Sequence, residues 1–387
     1  MSFVVDRTKQ GNTEDSQMIR KQISQHHVMG WIVTCCLLSL SFVPASGQGT
    51  SVDQVVAPRI GFGAVPANYA DVEMEWKKVF DKAEEAGAEV VQIPAGSWGE
   101  NQIGPGRYTW SSETPWYRLI KRQDYHFRVS KDFAGPFQHE EVTSPKDVRF
   151  RSFADEAFTR RYLEMVDAYL NSCADATDYL LIHAEGAHEY FAAKPRQLDD
   201  YLIFLRTVVA HVHQRNPQIK VSVNTDPQNK DDVLSRMAAE LDFISFDVMR
   251  SDDLVKQPGD LAKTIDRLIR VAGAKKISIA FYWSTTPVDG GSEAGQLAAF
   301  QAAMMRVRER QERFEYVVFG NIVDDDPQVL GPVFRAAFAN LPADFVEKIT
   351  QSQSTQGMIR LDGKEKPAWS WLKREMAEFK QQRTPAK

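Results

Sequence analysis

The stretch Tyr179-Leu-Leu-Ile-His-Ala-Glu-Gly-Ala-His-Glu-Tyr190 places four ionisable side chains directly behind a short apolar run. Tyr179 to Ile182 is continuously apolar, as expected of a strand buried on both faces of a parallel sheet. It runs into His183, Glu185, His188 and Glu189, with Gly186 where the backbone turns. A carboxylate held at a strand end beside an imidazole can give or take a proton, because a nearby charge or hydrogen bond changes the cost of its ionisation. Glu185 is therefore the centre of the expected site. His183 and His188 stand ready to tune it, with a purely structural hydrogen bond the favoured role for His183. The competing reading is a solvated loop glutamate, since isolated carboxylates usually face water.

Other residues with usable chemistry end neighbouring apolar runs. Trp98 and Glu100 follow one of them, Asp247 another, Tyr282 and Trp283 a third, and Asn321 with Asp324-Asp325-Asp326 a fourth. Three adjacent acids are hard-oxygen donors for Ca²⁺ by type, but they lack the spacing of a ligand cage such as an EF-hand loop. A solvated loop is the better reading of the run, and no metal site or cofactor is expected.

Residues so placed need a scaffold that brings strand ends together. From about Pro58 the chain alternates short apolar runs with amphipathic helices, which predicts βα units around a parallel sheet. The runs are Arg59–Val65, Ala88–Pro94, Tyr125–Ser130, Tyr179–Ile182, Ile219–Val223, Leu241–Phe246, Lys276–Ala280 and Tyr316–Phe319. Between the first two, Trp76, Val79, Phe80 and Ala83 share one helical face and Gly87 marks its stop. Eight strands over residues 58–380 predict an α/β protein with a (β/α)₈ TIM barrel as a single domain, its chemistry at the C-terminal strand ends. An open doubly wound sheet would carry a glycine-rich phosphate loop after its first strand, and Gly61-Phe-Gly63 lacks the third glycine of that fingerprint.

Composition narrows the function classes. The 387 residues are 43% hydrophobic and 26% charged, with a net charge of −5. That is globular composition with enough apolar material for a large core. No basic patch argues for a nucleic-acid partner. Residues 1–47 read separately, as a polar leader followed by a signal peptide or anchor. Arg20 and Lys21 precede the apolar segment Val28–Val43, and Pro44-Ala45-Ser46-Gly47 exits it, which is the layout of a secretory signal. An uncleaved N-terminal anchor is the alternative, and either predicts an exported chain with no other membrane contact. Cys35 and Cys36 fall inside that segment, leaving Cys173 alone in the mature chain, so no internal disulfide is expected.

Three stretches resemble the large retaining clan of glycoside hydrolases that includes many cellulases, mannanases and β-galactosidases. Ile93-Pro-Ala-Gly-Ser-Trp98 with Pro105-Gly-Arg-Tyr-Thr-Trp110 is similar to the segment after their second strand. Leu180 to Glu185 resembles their fourth strand, whose final Glu is the general acid/base. Met358-Ile-Arg-Leu-Asp-Gly-Lys-Glu-Lys-Pro-Ala368 is similar to the hairpin that introduces their last helix. The resemblance implies a poly- or oligosaccharide substrate, with Glu185 as proton donor and Trp98, Tyr282 and Trp283 available to stack on sugar rings.

Two departures stand out. Ala184 occupies the place of the Asn that precedes the acid/base, and the seventh strand ends Ala280-Phe-Tyr-Trp283 where the nucleophilic Glu is expected. A second carboxylate must then come from elsewhere: Asp247, Glu100 or Asp324. A separation of about 5–5.5 Å from Glu185 would suit retention and about 6.5–9.5 Å inversion. The alternative is a barrel that has lost hydrolysis and kept sugar binding.

Overall fold

The computed structural model describes residues 57–383, apart from short loop segments at 68–70, 95–97, 99–101, 109, 111–113, 139–140, 143, 146, 250–254, 256 and 339–340. The expected leader and signal or anchor segment, and Glu100, lie outside the described residues.

Eight strands form the core: β1 (Arg59–Gly63), β2 (Val90–Ile93), β3 (Arg128–Phe133), β4 (Tyr179–Ala184), β5 (Lys220–Thr225), β6 (Phe243–Met249), β7 (Lys276–Tyr282) and β8 (Phe314–Val323). Each pairs in parallel with its neighbour in sequence. The sheet closes because β8 also pairs with β1, Arg59 opposite Tyr316 and Gly63 opposite Asn321. This is the (β/α)₈ barrel expected from the apolar runs.

The surrounding helices are α1 (Val72–Glu85), α2 (Thr114–Arg122), α3 (Glu156–Cys173), α4 (Ala187–Ala193), α5 (Gln197–Arg215), α6 (Asp231–Ala239), α7 (Pro258–Ala272), α8 (Glu293–Glu309), α9 (Pro327–Ala337), α10 (Ala343–Ser354) and α11 (Pro367–Arg383). In α1 the Asp71 carboxylate accepts from the backbone N–H of Met74, capping the first turn. The helix buries Trp76, Val79, Phe80 and Ala83 as the spacing predicts. Gly87 follows with φ +76°, a conformation open to glycine at little cost. After β8 the chain adds the α9–α10 pair, then a short ninth strand, β9 (Gly357–Ile359), parallel to the end of β8. The Asp362-Gly-Lys segment turns back there, Ile359 bridging Glu365, before α11 begins at Pro367. No helix among the described residues is long and apolar enough to cross a membrane.

Strand side chains alternate between the two faces, and here the alternation separates two cores. Leu180, Ile182, Val221, Val223, Ile244, Phe246, Ile277 and Ile279 point outward to the helices. Tyr179, Leu181, Phe243, Ala280, Tyr316 and Val318 fill the inside, with Tyr282 packed against them. The buried Tyr316 hydroxyl meets Ser130 Oγ at 2.8 Å, so the interior is packed side chain rather than a pore. Continuing the same inward phase to the C-terminal end of each strand brings up Gln92, Asp132, His183, Asn224, Asp247 and Tyr282.

Candidate active site

Those strand ends enclose a cavity of about 460 Å³, within the usual size range of small-molecule sites. Its polar lining includes Gln92, Asp132, His183, Glu185, Asp247, Tyr282, Asn321 and Asp325, and its apolar wall includes Met249 from β6 and Leu330 and Phe334 from α9. The α9–α10 pair thus closes one side of the mouth.

One chain of hydrogen bonds links four of these lining groups, two of them through Asn224, across four strands. His183 Nδ1 lies 3.0 Å from Asp132 Oδ2, and its Nε2 lies 3.2 Å from Glu185 Oε2. The Asn224 amide donates to the same Asp132 oxygen at 3.0 Å and to Asp247 Oδ2 at 2.7 Å. Asp132 is nearly sealed from solvent, whereas 55% of the Glu185 side-chain surface is open. Beneath them, Gly135 packs so close to β4 that an added Cβ would fall 1.5 Å from the His183 carbonyl oxygen. Only glycine permits that approach, which holds the β3 loop against the strand carrying the site.

The protonation states follow from this wiring. Burial opposes a charge on His183, but the carboxylates of Asp132 and Glu185 outweigh it and hold the imidazole well above its usual range. His183 is therefore an imidazolium at neutral pH, donating to both acids. Asp247 goes the other way. Burial, reinforced by the neighbouring charge of Asp132, pushes its carboxyl up to about 8 against the counter-pull of the Asn224 amide and of His183. Two acids that share one amide cannot both ionise cheaply. Asp132 Oδ2 meets both His183 and the Asn224 amide, and Asp247 keeps its proton up to about pH 8. Asp247 Oδ1 has no hydrogen-bond partner among the described residues, and since Oδ2 accepts from Asn224, that free oxygen is where the proton belongs. On the opposite rim, burial and the adjacent Asp324 raise Asp325 to about 7 while Asn321 hydrogen-bonds its carboxylate.

The expected residues are only partly brought together. Glu185, His183, Asp247, Tyr282 and Asn321 line the cavity. Trp98 does not: it is fully buried, edge-on to Tyr162 at 5.2 Å and to Phe158 at 5.4 Å. Trp283 is likewise buried, its carbonyl accepting from Gln296 Nε2, because it follows Tyr282 by one residue and so takes the outward phase. Neither ring can stack on a sugar. His188 sits on α4, its Nδ1 3.2 Å from Asp226 Oδ2, and faces a separate surface depression rather than the cavity. Asp324 is turned inward to Lys366 at 2.8 Å, a lysine that also donates to Thr285 Oγ1 and the Thr355 carbonyl. Its neighbour Asp325 faces the cavity in its place.

Asp132, Asn224 and Gln92 were not among the expected site residues, and Asp325 was expected only as part of a solvated acidic run. The signal for the first three was available: each stands an even number of residues beyond an inward-facing member of its own strand (Val90 to Gln92, Ser130 to Asp132, Ser222 to Asn224). Among the described residues no group of His, Cys, Asp and Glu is arranged to hold a metal ion.

No family model matches the sequence, and no curated protein matches it. Solved structures share its fold. An exo-β-1,4-mannosidase from Opitutaceae bacterium strain TAV5 superposes with a TM-score of 0.64 at 12% identity, over 87% of this chain. The GH5_18 protein from Streptomyces cattleya, solved in complex with GlcNAc, gives 0.63 at 13% identity, covering 86% of this chain and 82% of that one. A family 39 glycoside hydrolase from Bacteroides cellulosilyticus WH2 gives 0.54 at 13% identity, over 84% of this chain. The present chain spans 64% of the length of the mannosidase and 64% of that of the family 39 protein. The fold is thus a (β/α)₈ barrel of the kind found in glycoside hydrolases.

Proposed function

We propose that the chain is a glycoside hydrolase acting on a poly- or oligosaccharide by general acid–base catalysis, with Glu185 and Asp247 as its carboxylate pair. The observation that carries this is the contrast between the two acids in one cavity. Asp247 is partly buried and holds its proton up to about pH 8, whereas Glu185 is half-open and held against an imidazolium. Pairs of acids whose surroundings drive their protonation apart supply the donor and the acceptor of such a reaction. Asp247 gives its Oδ1 proton to the leaving glycosidic oxygen as the C–O bond breaks, and Glu185 takes a proton from the water that attacks the anomeric carbon. This reverses the donor role expected of Glu185 from the resemblance while keeping it at the reacting centre. Asp132, His183 and Asn224 position the pair without touching the sugar. Tyr282, whose hydroxyl burial and the nearby Asp247 and Asp132 keep protonated, replaces the absent carboxylate of the seventh strand as a hydrogen-bond donor at the cavity wall.

A second reading is favoured by that same missing carboxylate: a barrel that binds saccharide without cleaving it. Hydrolysis of a panel of aryl glycosides and polysaccharides by wild type, Glu185→Gln and Asp247→Asn separates the two. Turnover that both substitutions abolish supports the hydrolase. Saccharide binding with no turnover in any of the three proteins supports the binding barrel. Export belongs to the same proposal, resting on the apolar segment Val28–Val43, and N-terminal sequencing of protein recovered from outside the cytoplasm tests it.

A further inference from the structure

The cavity has two dissimilar halves. On the β3–β6 side, Asp132, His183, Glu185, Asn224 and Asp247 are tied to one another. On the other side, β8, β1 and β2 run in register, with Gly63 opposite both Asn321 and Gln92. Gln92 is 3% exposed and lines the cavity, yet its Oε1 has no hydrogen-bond partner among the described residues. Asp325 lines the same side, where its carboxylate is met by the Asn321 amide and its acidic neighbour is Asp324. Of the nearby lysines, Lys366 is committed to Asp324 and two further oxygens, and the buried Lys131 donates to the Pro94 carbonyl. Neither Lys nor Arg occurs among the described lining residues, which hold four carboxyl groups and one imidazole. Gly63 leaves the floor open: a Cβ there would press to 2.7 Å from Asn321 Oδ1.

This half of the mouth therefore offers the unpaired Gln92 oxygen and a carboxyl group that titrates near neutral pH, with no Lys or Arg among the described lining residues. Unpaired buried acceptors are costly, and the ligand that relieves them supplies several N–H donors and a positive charge from one compact group. A divalent ion is disfavoured by the lack of a ligand cluster among the described residues. A uronic acid would add a further carboxylate to a cavity that already holds four carboxyl groups.

We propose that the saccharide taken by this cavity is an amino sugar with a free amine, received by Asp325, Gln92 and Asn321. An ammonium carries three N–H donors, enough for both oxygen acceptors and one further partner, and its bond to a carboxylate is of the stronger, charge-assisted kind. The proposal rests on the hydrolase reading for the identity of the cavity, but it concerns recognition alone.

Titration calorimetry at pH 7 tests it, using the β-1,4-linked disaccharide of glucosamine, its N-acetylated form and cellobiose against wild type, Asp325→Asn and Gln92→Leu. The amine form is expected to bind wild type about tenfold or more tightly than the other two. Asp325→Asn removes that advantage, read as the ratio of amine-form to cellobiose affinity, and Gln92→Leu reduces it, giving a second handle should the first variant fail to fold. Equal affinities for the three sugars, or a weaker amine form, overturn the proposal and leave the hydrolase reading standing. Binding of none of the three alongside turnover of other glycosides does the same. Absence of binding and turnover across the whole saccharide panel sinks the hydrolase reading as well.

Discussion

The two ends of the barrel treat buried carboxylates in opposite ways. At the N-terminal end Glu315 is 8% exposed and accepts from Lys220 Nζ at 2.7 Å and the Tyr179 hydroxyl at 3.2 Å, with the Arg59 guanidinium, which donates to that hydroxyl, 3.9 Å away. Every charge there has a counter-charge, and the cluster ties β8 to β1, β4 and β5. At the C-terminal end four carboxyl groups share a cavity with one imidazole, and the oxygens Gln92 Oε1, Asp132 Oδ1 and Asp247 Oδ1 lack partners among the described residues. A chain selected for stability alone would pair these groups as it pairs Glu315. Leaving them unpaired costs folding free energy, and that cost is the mark of a site kept ready for something from outside.

The comparison breaks most visibly through activity. Glu185→Gln and Asp247→Asn are each expected to lower turnover by about 10²–10⁴, the usual share of a general acid or base, as read from initial rates on the best aryl glycoside. Unaltered rates would move the chemistry elsewhere on the molecule. Next in size is a stability effect away from the cavity. Trp98→Ala empties a site enclosed by Phe158 and Tyr162 and is expected to cost about 3–5 kcal/mol in urea unfolding, with saccharide affinity per folded molecule unchanged. A loss of affinity instead would restore Trp98 as a sugar platform.

Smaller again, Glu315→Gln at the lower end should cost about 1–2 kcal/mol, because its cationic partners are partly solvated and can find water. Its turnover should equal wild type; a large loss of rate would erase the division of labour between the two ends. The smallest expected effect is a flatter pH dependence. Asp247 binds its proton up to about pH 8 in the folded state and only up to about 3.9 when unfolded. The folded chain thus holds the extra proton over that interval, and stability falls as pH rises through it, by at most about 1.4 kcal/mol per pH unit. Asp325 contributes the same sign up to about 7. Asp247→Asn removes one of these slopes, so its melting temperature should drop less than that of wild type between pH 5 and pH 8.

Much of this was legible in the sequence, for physical reasons that differ by element. Strands of a closed parallel barrel are buried on both faces, so Tyr179–Ile182 of β4 and Tyr316–Phe319 of β8 appear as unbroken apolar runs, and all eight positions could be read. Their C-terminal limits were read short, β4 at Ile182 and β8 at Phe319, because the last residues turn polar where they enter the mouth. Those polar extensions are the site. Glu185 and Asp247 stood out by following such runs, whereas Asp132 and Asn224 required counting the inward phase from residues deeper in the strand. In the run Asp324-Asp325-Asp326 a one-residue shift exchanges core for cavity, and composition alone carries no phase. Trp98 and Trp283 misled for a related cause: a large aromatic fills a core as readily as it faces a sugar, and the sequence does not record which.

The central claim is that Asp247 keeps its proton at neutral pH inside the mouth. Carbon-13 NMR of the side-chain carboxyls in protein labelled at aspartate, with Asp247→Asn to assign the signal, measures it directly. The account predicts an Asp247 resonance that stays in its protonated position through pH 7 and titrates with a midpoint near 8. A midpoint near the ordinary aspartate value of about 3.9 would leave two charged acids in the cavity and no proton to give.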